Sequence, residues 1–193
     1  MSGALQADAV VIGASAGGIE ALFALLGGLP AGFRLPVIVV LHLREDRESR
    51  LPEIFQPRMQ VPVREAQAHA PVEPGTLYFA PSGYHLLVEP DRTFSLSCEP
   101  PVLFSRPSID VLMESCCDAY APRLAGVVLT GASEDGALGL KRIGDAGGIT
   151  LVQSPQEAAF PTMPAAALRL ARPRYVLPLS GLRSLIEGLG APA

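Results

Sequence analysis

A stretch that runs as a buried strand, breaks into a turn of small residues and resumes as an apolar helix constrains this chain more than any other feature. Residues 9–26 read Ala-Val-Val-Ile-Gly-Ala-Ser-Ala-Gly-Gly-Ile-Glu-Ala-Leu-Phe-Ala-Leu-Leu. Val10, Val11 and Ile12 form the strand and Ile19 to Leu26 the helix. Between them, Gly13-Ala14-Ser15-Ala16-Gly17 matches G-x-S-x-G, a strained turn that exposes a nucleophilic serine. Ser15 then stands at a helix N-terminus, where free N–H groups and the helix dipole favour developing negative charge. Two other readings fit the segment. One is a tight βα turn whose small residues serve packing alone. The other is phosphate binding, since Gly13-x-Ser15-x-x-Gly18 nearly fits the dinucleotide fingerprint. A serine replaces the glycine that admits the pyrophosphate, however, and no ribose-binding acid follows, because the strand Val37–Leu41 ends in His42.

The 193 residues suit one well-buried domain, spanning 1–193. Apolar residues make up 49% and charged residues 18%, as expected of an α/β protein with buried parallel strands. A net charge of −4, with Lys141 the only lysine, argues against a nucleic-acid surface. Three cysteines, two of them adjacent at Cys116 and Cys117, make no disulfide framework, and no Cys/His spacing resembles a zinc site, so no metal is expected from them. Glu20 interrupts the first apolar run, which excludes a signal peptide or membrane span there and points to a cytoplasmic protein without membrane insertion.

Strands and helices alternate along the chain. After a strand at 36–41 come a charged loop at 44–50, a short helix near 51–58 and a candidate strand at Val61–Glu65. The segments 75–80, 84–88 and 93–97 are short and separated by turn signals, which predicts an antiparallel hairpin or three-stranded excursion. Ser108 reads as the N-cap of a helix ending near Tyr120. A strand at Leu124–Thr130, a helix at Ala137–Asp145, a strand at 148–152, a helix starting near Pro164, a strand at Arg174–Leu177 and a helix at 181–189 capped by Ser180 complete the chain. The fold class is α/β: a doubly wound, mostly parallel sheet with helices on both faces and a short antiparallel β insertion.

In such sheets ligands bind beyond the carboxyl ends of the strands. Three strand ends carry capable groups: Ser15, His42, and Asp135 in the loop after 124–130. Together they make a nucleophile, base and acid set. His42 is the preferred base because it alone shares the strand-end placement of Ser15, with His85 the lesser candidate; the plain readings are a packed sheet-edge residue for His42, a backbone-bonded strand residue for His85 and a solvated loop residue for His69. Asp135 reads equally as the cap of the helix beginning at Gly136, and Asp110 as a first-turn acid. Arg44, Arg47 and Arg50 form a basic loop that is either a solvated face or a guide for an acidic partner.

The ordered set of motifs resembles the catalytic domain of the chemotaxis protein-glutamate methylesterases (CheB type), from about Asp8 to Leu179. The carriers are Val11 to Leu22, the strand ending at His42, Pro74-Gly75-Thr76-Leu77-Tyr78-Phe79-Ala80-Pro81 leading to His85, and Arg106-Pro107-Ser108-Ile109-Asp110-Val111-Leu112. Leu129-Thr130-Gly131 through Asp135-Gly136-Ala137, then Gly139-Leu140 and Met163-Pro164, complete the set. The resemblance implies that Ser15, His42 and Asp135 are nucleophile, base and acid. It implies hydrolysis of glutamate γ-methyl esters on the methylated cytoplasmic region of chemoreceptors, with release of methanol and no cofactor. Deamidation of receptor glutamines is a second activity open to this chain. The backbone N–H of Ala16, with the Ala132–Ser133 loop, is the candidate oxyanion donor set, and His85 and Met163 are candidates for lining a substrate cleft. The chain departs from the family in having Ala16 for threonine, Gly131-Ala132-Ser133 for Gly-Met-Gly, and a shorter, more charged segment after His42. A first strand near residue 8 leaves no room for an N-terminal receiver domain, so any regulation is expected from a separate protein. The alternative is a catalytically impaired module that binds receptor or signalling partners.

Overall fold

The computed structural model describes residues 5–42 and 49–191. Arg44 and Arg47 of the expected basic loop lie outside the described residues. Arg50 lies within them, at the surface, paired with Glu53 at 2.8 Å.

Among the described residues are nine strands and six α-helices: β1 (Ala9–Ala14), α1 (Gly18–Leu26), β2 (Val37–Leu41), α2 (Leu51–Phe55), β3 (Val63–Glu65), β4 (Leu77–Phe79), β5 (His85–Val88), β6 (Phe94–Ser97), α3 (Ile109–Tyr120), β7 (Leu124–Val128), α4 (Ala137–Asp145), β8 (Ile149–Gln153), α5 (Thr162–Ala171), β9 (Tyr175–Leu177) and α6 (Leu179–Gly190). Seven strands form one parallel sheet in the order β3-β4-β2-β1-β7-β8-β9. Every residue of β1, β2, β7 and β8 is buried, because helices cover both faces. Alternate side chains divide the core. Val10, Ile12, Val37 and Val39 face α1 and α6, packing with Leu22, Leu25, Phe55, Leu182 and Ile186. Val11, Ile38 and Val40 face the other way, among Ile109, Leu112, Met113, Leu140, Ile143 and Met163.

Of the two forms expected for the antiparallel insertion, the structure takes the hairpin. Among the named strands of the described residues, β5 and β6 alone pair antiparallel, from His85 opposite Ser97 to Val88 opposite Phe94. Leu77–Phe79, expected in the same excursion, instead joins the main sheet parallel to β2, with Leu77 beside Val37. Its three residues are buried throughout, and Ala80 N–H continues the ladder to Val39 O at 2.9 Å. The short link after it therefore leaves the sheet instead of folding back along it. Ser180 is also not a cap: α6 begins at Leu179, behind Pro178, and Ser180 is its second residue, whose carbonyl accepts from Ser184 Oγ at 3.2 Å.

Chain order runs outward from β1 in one direction through β2 and in the other through β7, so the connections diverge between β1 and β7. A crevice opens at the carboxyl ends of strands where such a reversal occurs. The site lies there.

Candidate active site

Ser15 follows β1 on a turn that neighbouring backbone holds in place. Its N–H donates to Thr130 O at 3.0 Å, its carbonyl accepts from Gly18 N–H at 2.8 Å, and Gly17 takes φ 74° to start α1. Thr130 Oγ1 donates to Ala16 O at 3.0 Å and accepts from Phe160 N–H at 2.9 Å, while Thr130 N–H donates to the buried Gln153 side chain. The elbow is thereby tied to β7, β8 and the start of α5. Gly18 has to be glycine: a Cβ would stand 2.5 Å from Leu41 Cδ1 and 2.9 Å from Ala14 Cβ, so α1 could not close on the sheet. Gly131 is as constrained. A Cβ there would meet Met163 Cε at 2.6 Å and Ser15 Cβ at 2.9 Å. Met163, expected as a possible cleft wall, is fully buried, packed with Ile109, Leu140 and Val152 in the core on that face of the sheet.

His42, at the end of β2, and Asp135, after β7, meet directly. Nε2 of His42 lies 2.8 Å from Asp135 Oδ2, with the Asp135 side chain wholly buried and the imidazole only 11% exposed. Nδ1 of the same ring faces Ser105 Oγ at 3.4 Å. Ser15 Oγ makes no hydrogen bond to His42 among the described residues. Ser105 has no counterpart in the sequence expectations, because it lies in a loop more than sixty residues from His42 and no local pattern marks it.

Asp135 does cap a helix, but not the one beginning at Gly136. Its Oδ1 accepts from Ser108 Oγ at 2.8 Å and Asp110 N–H at 2.9 Å, and its Oδ2 from Ile109 N–H at 2.7 Å, all at the start of α3. Asp110 returns the arrangement: its Oδ1 accepts from Gly136 N–H at 2.9 Å and Gly139 N–H at 2.7 Å, at the start of α4. Each helix thus has its orphan N–H groups satisfied by the other's carboxylate. Gly139 lets the two helices approach, since a Cβ would lie 2.5 Å from Met113 Cβ. His85 is a third part of this clamp. It is buried, accepts from Ser108 N–H at Nδ1 and faces Pro100 O at Nε2, so it fixes the entry to α3 and does not line a cleft.

Burial works to raise the Asp135 carboxyl, but hydrogen bonds from His42 and from the Asp110 and Ile109 amides outweigh it and hold the group below the usual carboxylate range. Asp110 goes the other way: burial, reinforced by the Asp135 charge, pushes it up to about 6 against the opposing pull of the Gly139 and Gly136 amides. An acid whose folded pKa is raised binds more protons folded than unfolded between about pH 4 and 6, so wild-type stability falls as pH rises across that window. Asp110→Asn keeps an oxygen for both glycine amides and removes the titration. Its stability relative to wild type should therefore climb from pH 4 to 6 and then level off. Denaturation midpoints of the pair at pH 4, 5, 6 and 7 test this, and a constant difference would refute it.

After Ser105's neighbour Val102 the chain turns back through Leu103 and Phe104, at φ 47° and 64°. Left-handed backbone strains bulky L-residues by roughly 1–3 kcal/mol each.

Fold and crevice together define a doubly wound α/β domain that gathers a serine, a histidine and an aspartate at the carboxyl ends of three neighbouring strands. The chain belongs to the CheB methylesterase family, whose model matches residues 10–186. A Leptospira interrogans protein named as a candidate protein-glutamate methylesterase/protein-glutamine glutaminase is 42% identical over 178 residues, covering 92% of each chain. Protein-glutamate methylesterase/protein-glutamine glutaminase 2 of Anaeromyxobacter dehalogenans is 41% identical over 185 residues, 95% of this chain and 54% of its own. Protein-glutamate methylesterase FrzG of Myxococcus xanthus is 37% identical over 171 residues, 89% of this chain and 51% of its own. The chain thus spans about half the length of the last two relatives. Among solved structures, the catalytic domain of the Thermotoga maritima CheB methylesterase superposes with a TM-score of 0.88 at 27% identity, covering 94% of this chain and 98% of that one.

Proposed function

We propose that this protein, acting as a single catalytic domain, hydrolyses glutamate γ-methyl esters on the cytoplasmic region of methyl-accepting chemoreceptors. The observation that carries the reading is the buried Asp135–His42 pair, at 2.8 Å, beside the turn that presents Ser15. In this mechanism Ser15 Oγ attacks the ester carbonyl. Because His42 Nε2–H is committed to Asp135, the proton of Ser15 goes to Nδ1, and ionised Asp135 stabilises the imidazolium that forms. The long Ser105 contact at Nδ1 is weak enough to yield to Ser15. Backbone N–H of Ala16, which donates to no acceptor among the described residues, meets the oxyanion, with Ala132 and Ser133 as further donors; one such bond is worth about 2.7–4 kcal/mol. Methanol departs with the proton from His42, and water activated by the same base releases Ser15 and free glutamate. Glutamine deamidation follows the same steps with ammonia leaving.

Among the described residues no helix is long and apolar enough to cross a membrane. The test is methanol release from a methylated receptor cytoplasmic fragment, run beside fluorophosphonate labelling. Release together with labelling at Ser15 is expected. The unmade Ser15–His42 hydrogen bond favours one alternative, a catalytically silent binding module, and folded protein that neither labels nor releases methanol would establish it.

A further inference from the structure

Val102 and Ser105 exchange both backbone hydrogen bonds, Val102 N–H to Ser105 O at 3.1 Å and Ser105 N–H to Val102 O at 2.9 Å. Leu103 and Phe104 are therefore the two central residues of a two-residue hairpin loop, both at positive φ. Such loops select Asn-Gly or Asp-Gly, because a Cβ at positive φ crowds the following carbonyl and a short polar or absent side chain relieves it. Leucine and phenylalanine do neither. They also face water: Phe104 is fully exposed and Leu103 is 48% exposed. Strain and exposed apolar surface thus coincide at one turn, and Phe104, fully exposed, gains no burial from this chain's own fold. Two residues held against local preference point to use in binding.

The position says what is bound. The next residue is Ser105, whose hydroxyl reaches the free nitrogen of His42. Behind Leu103 lies a recess of about 320 Å³ whose apolar lining comes from Ala137, Leu138, Ala166 and Leu170. Leu138 and Leu170 are themselves substantially exposed, so the apolar shelf continues from the turn across α4 and α5. The turn is thus joined through Ser105 to His42, which places it next to the path of a polypeptide that presents an ester there.

We propose that Leu103 and Phe104 form a prong that engages an apolar side chain of the protein substrate flanking the esterified glutamate, and so select protein over small esters. The inference rests on the methylesterase reading. It explains why the turn keeps residues that disfavour it: the contact made on substrate binding offsets both costs.

The test is the double variant Leu103→Asn, Phe104→Gly, which removes the prong while giving the loop the residues its backbone prefers. Its melting temperature should equal or exceed that of wild type, so a loss cannot be ascribed to misfolding. For methylated receptor fragment, kcat/KM should fall about 30-fold, mainly through KM, as for loss of an aromatic anchor. Hydrolysis of p-nitrophenyl acetate should fall far less, so that the preference for the protein substrate drops at least about tenfold. Phe104→Leu, which keeps an apolar tip, should retain most of that preference. An unchanged KM for the fragment would overturn the proposal. So would equal losses on both substrates, which would assign the turn to holding Ser105 and His42. If wild type cleaves p-nitrophenyl acetate but releases no methanol from the fragment, the methylesterase reading fails and the prong fails with it.

Discussion

Ser15→Ala should lower methanol release from methylated receptor fragment by about 10⁴-fold or more while leaving the fold intact. The size follows from nucleophile deletion in serine hydrolases, where what remains comes from the oxyanion donors and binding alone. The structure makes the test clean. Ser15 Oγ has no hydrogen bond to any described residue, and the turn is held by backbone groups of Ser15, Ala16 and Gly18, which alanine retains. Unfolding free energy should therefore change by less than about 1 kcal/mol. Adding His42→Ala should cost little further activity, since the two residues act as a unit. A Ser15→Ala protein keeping a tenth of wild-type activity would remove Ser15 from the role of nucleophile.

Asp135→Ala should damage both catalysis and stability. Alanine strands four donors at once: His42 Nε2, Ser108 Oγ and the N–H groups of Ile109 and Asp110, all buried or nearly so. Removing one partner from a buried, hydrogen-bonded charge cluster costs about 3–5 kcal/mol. For a chain of this size that lowers the melting temperature by roughly 6–20 °C. Asparagine is a poor rescue, because whichever way its amide turns, an NH₂ faces the donors at the start of α3. The loss has a pH signature. Asp135 has a lowered folded pKa, so its contribution is present above the unfolded value near 4 and disappears as pH falls through the folded one. The stability gap between wild type and variant should narrow below about pH 4. A gap that is small at pH 7, or that does not close in acid, would mean the helix starts hold without this carboxylate. Asp110 has the opposite sign, so variants of the two acids distinguish the halves of the clamp.

Local pattern sufficed for the βα units because their information is local. Val10–Ile12 and Val37–Leu41 are continuous apolar runs that only a doubly covered sheet accepts, and Gly17-Gly18 permit the one turn that joins β1 to α1 so closely. The same logic brought Ser15, His42 and Asp135 to one edge, because all three follow strands that run parallel in neighbouring positions. Partner choice was not legible. The residues 75–80 carry turn signals suited to a hairpin, yet pairing with β2 buries Leu77 and Phe79 where a hairpin would expose one face. Asp110 shares a helical stripe with the buried Met113 and Cys117, a sign that its carboxyl is buried; nothing local says that it caps α4 while Asp135 caps α3.

By itself, then, the sequence determined the order of elements, the parallel sheet and the three strand ends that carry chemistry, since each follows from side-chain periodicity and turn residues a few positions apart. Only the tertiary structure decided that His42 turns Nε2 to Asp135 and Nδ1 to Ser105, that two carboxylates cross-cap two helices, and that the turn at Leu103 and Phe104 brings Ser105 to His42. Those depend on how helices and loops distant in the chain pack against one another, and hydrogen-bond direction is settled only when burial leaves each donor a single acceptor.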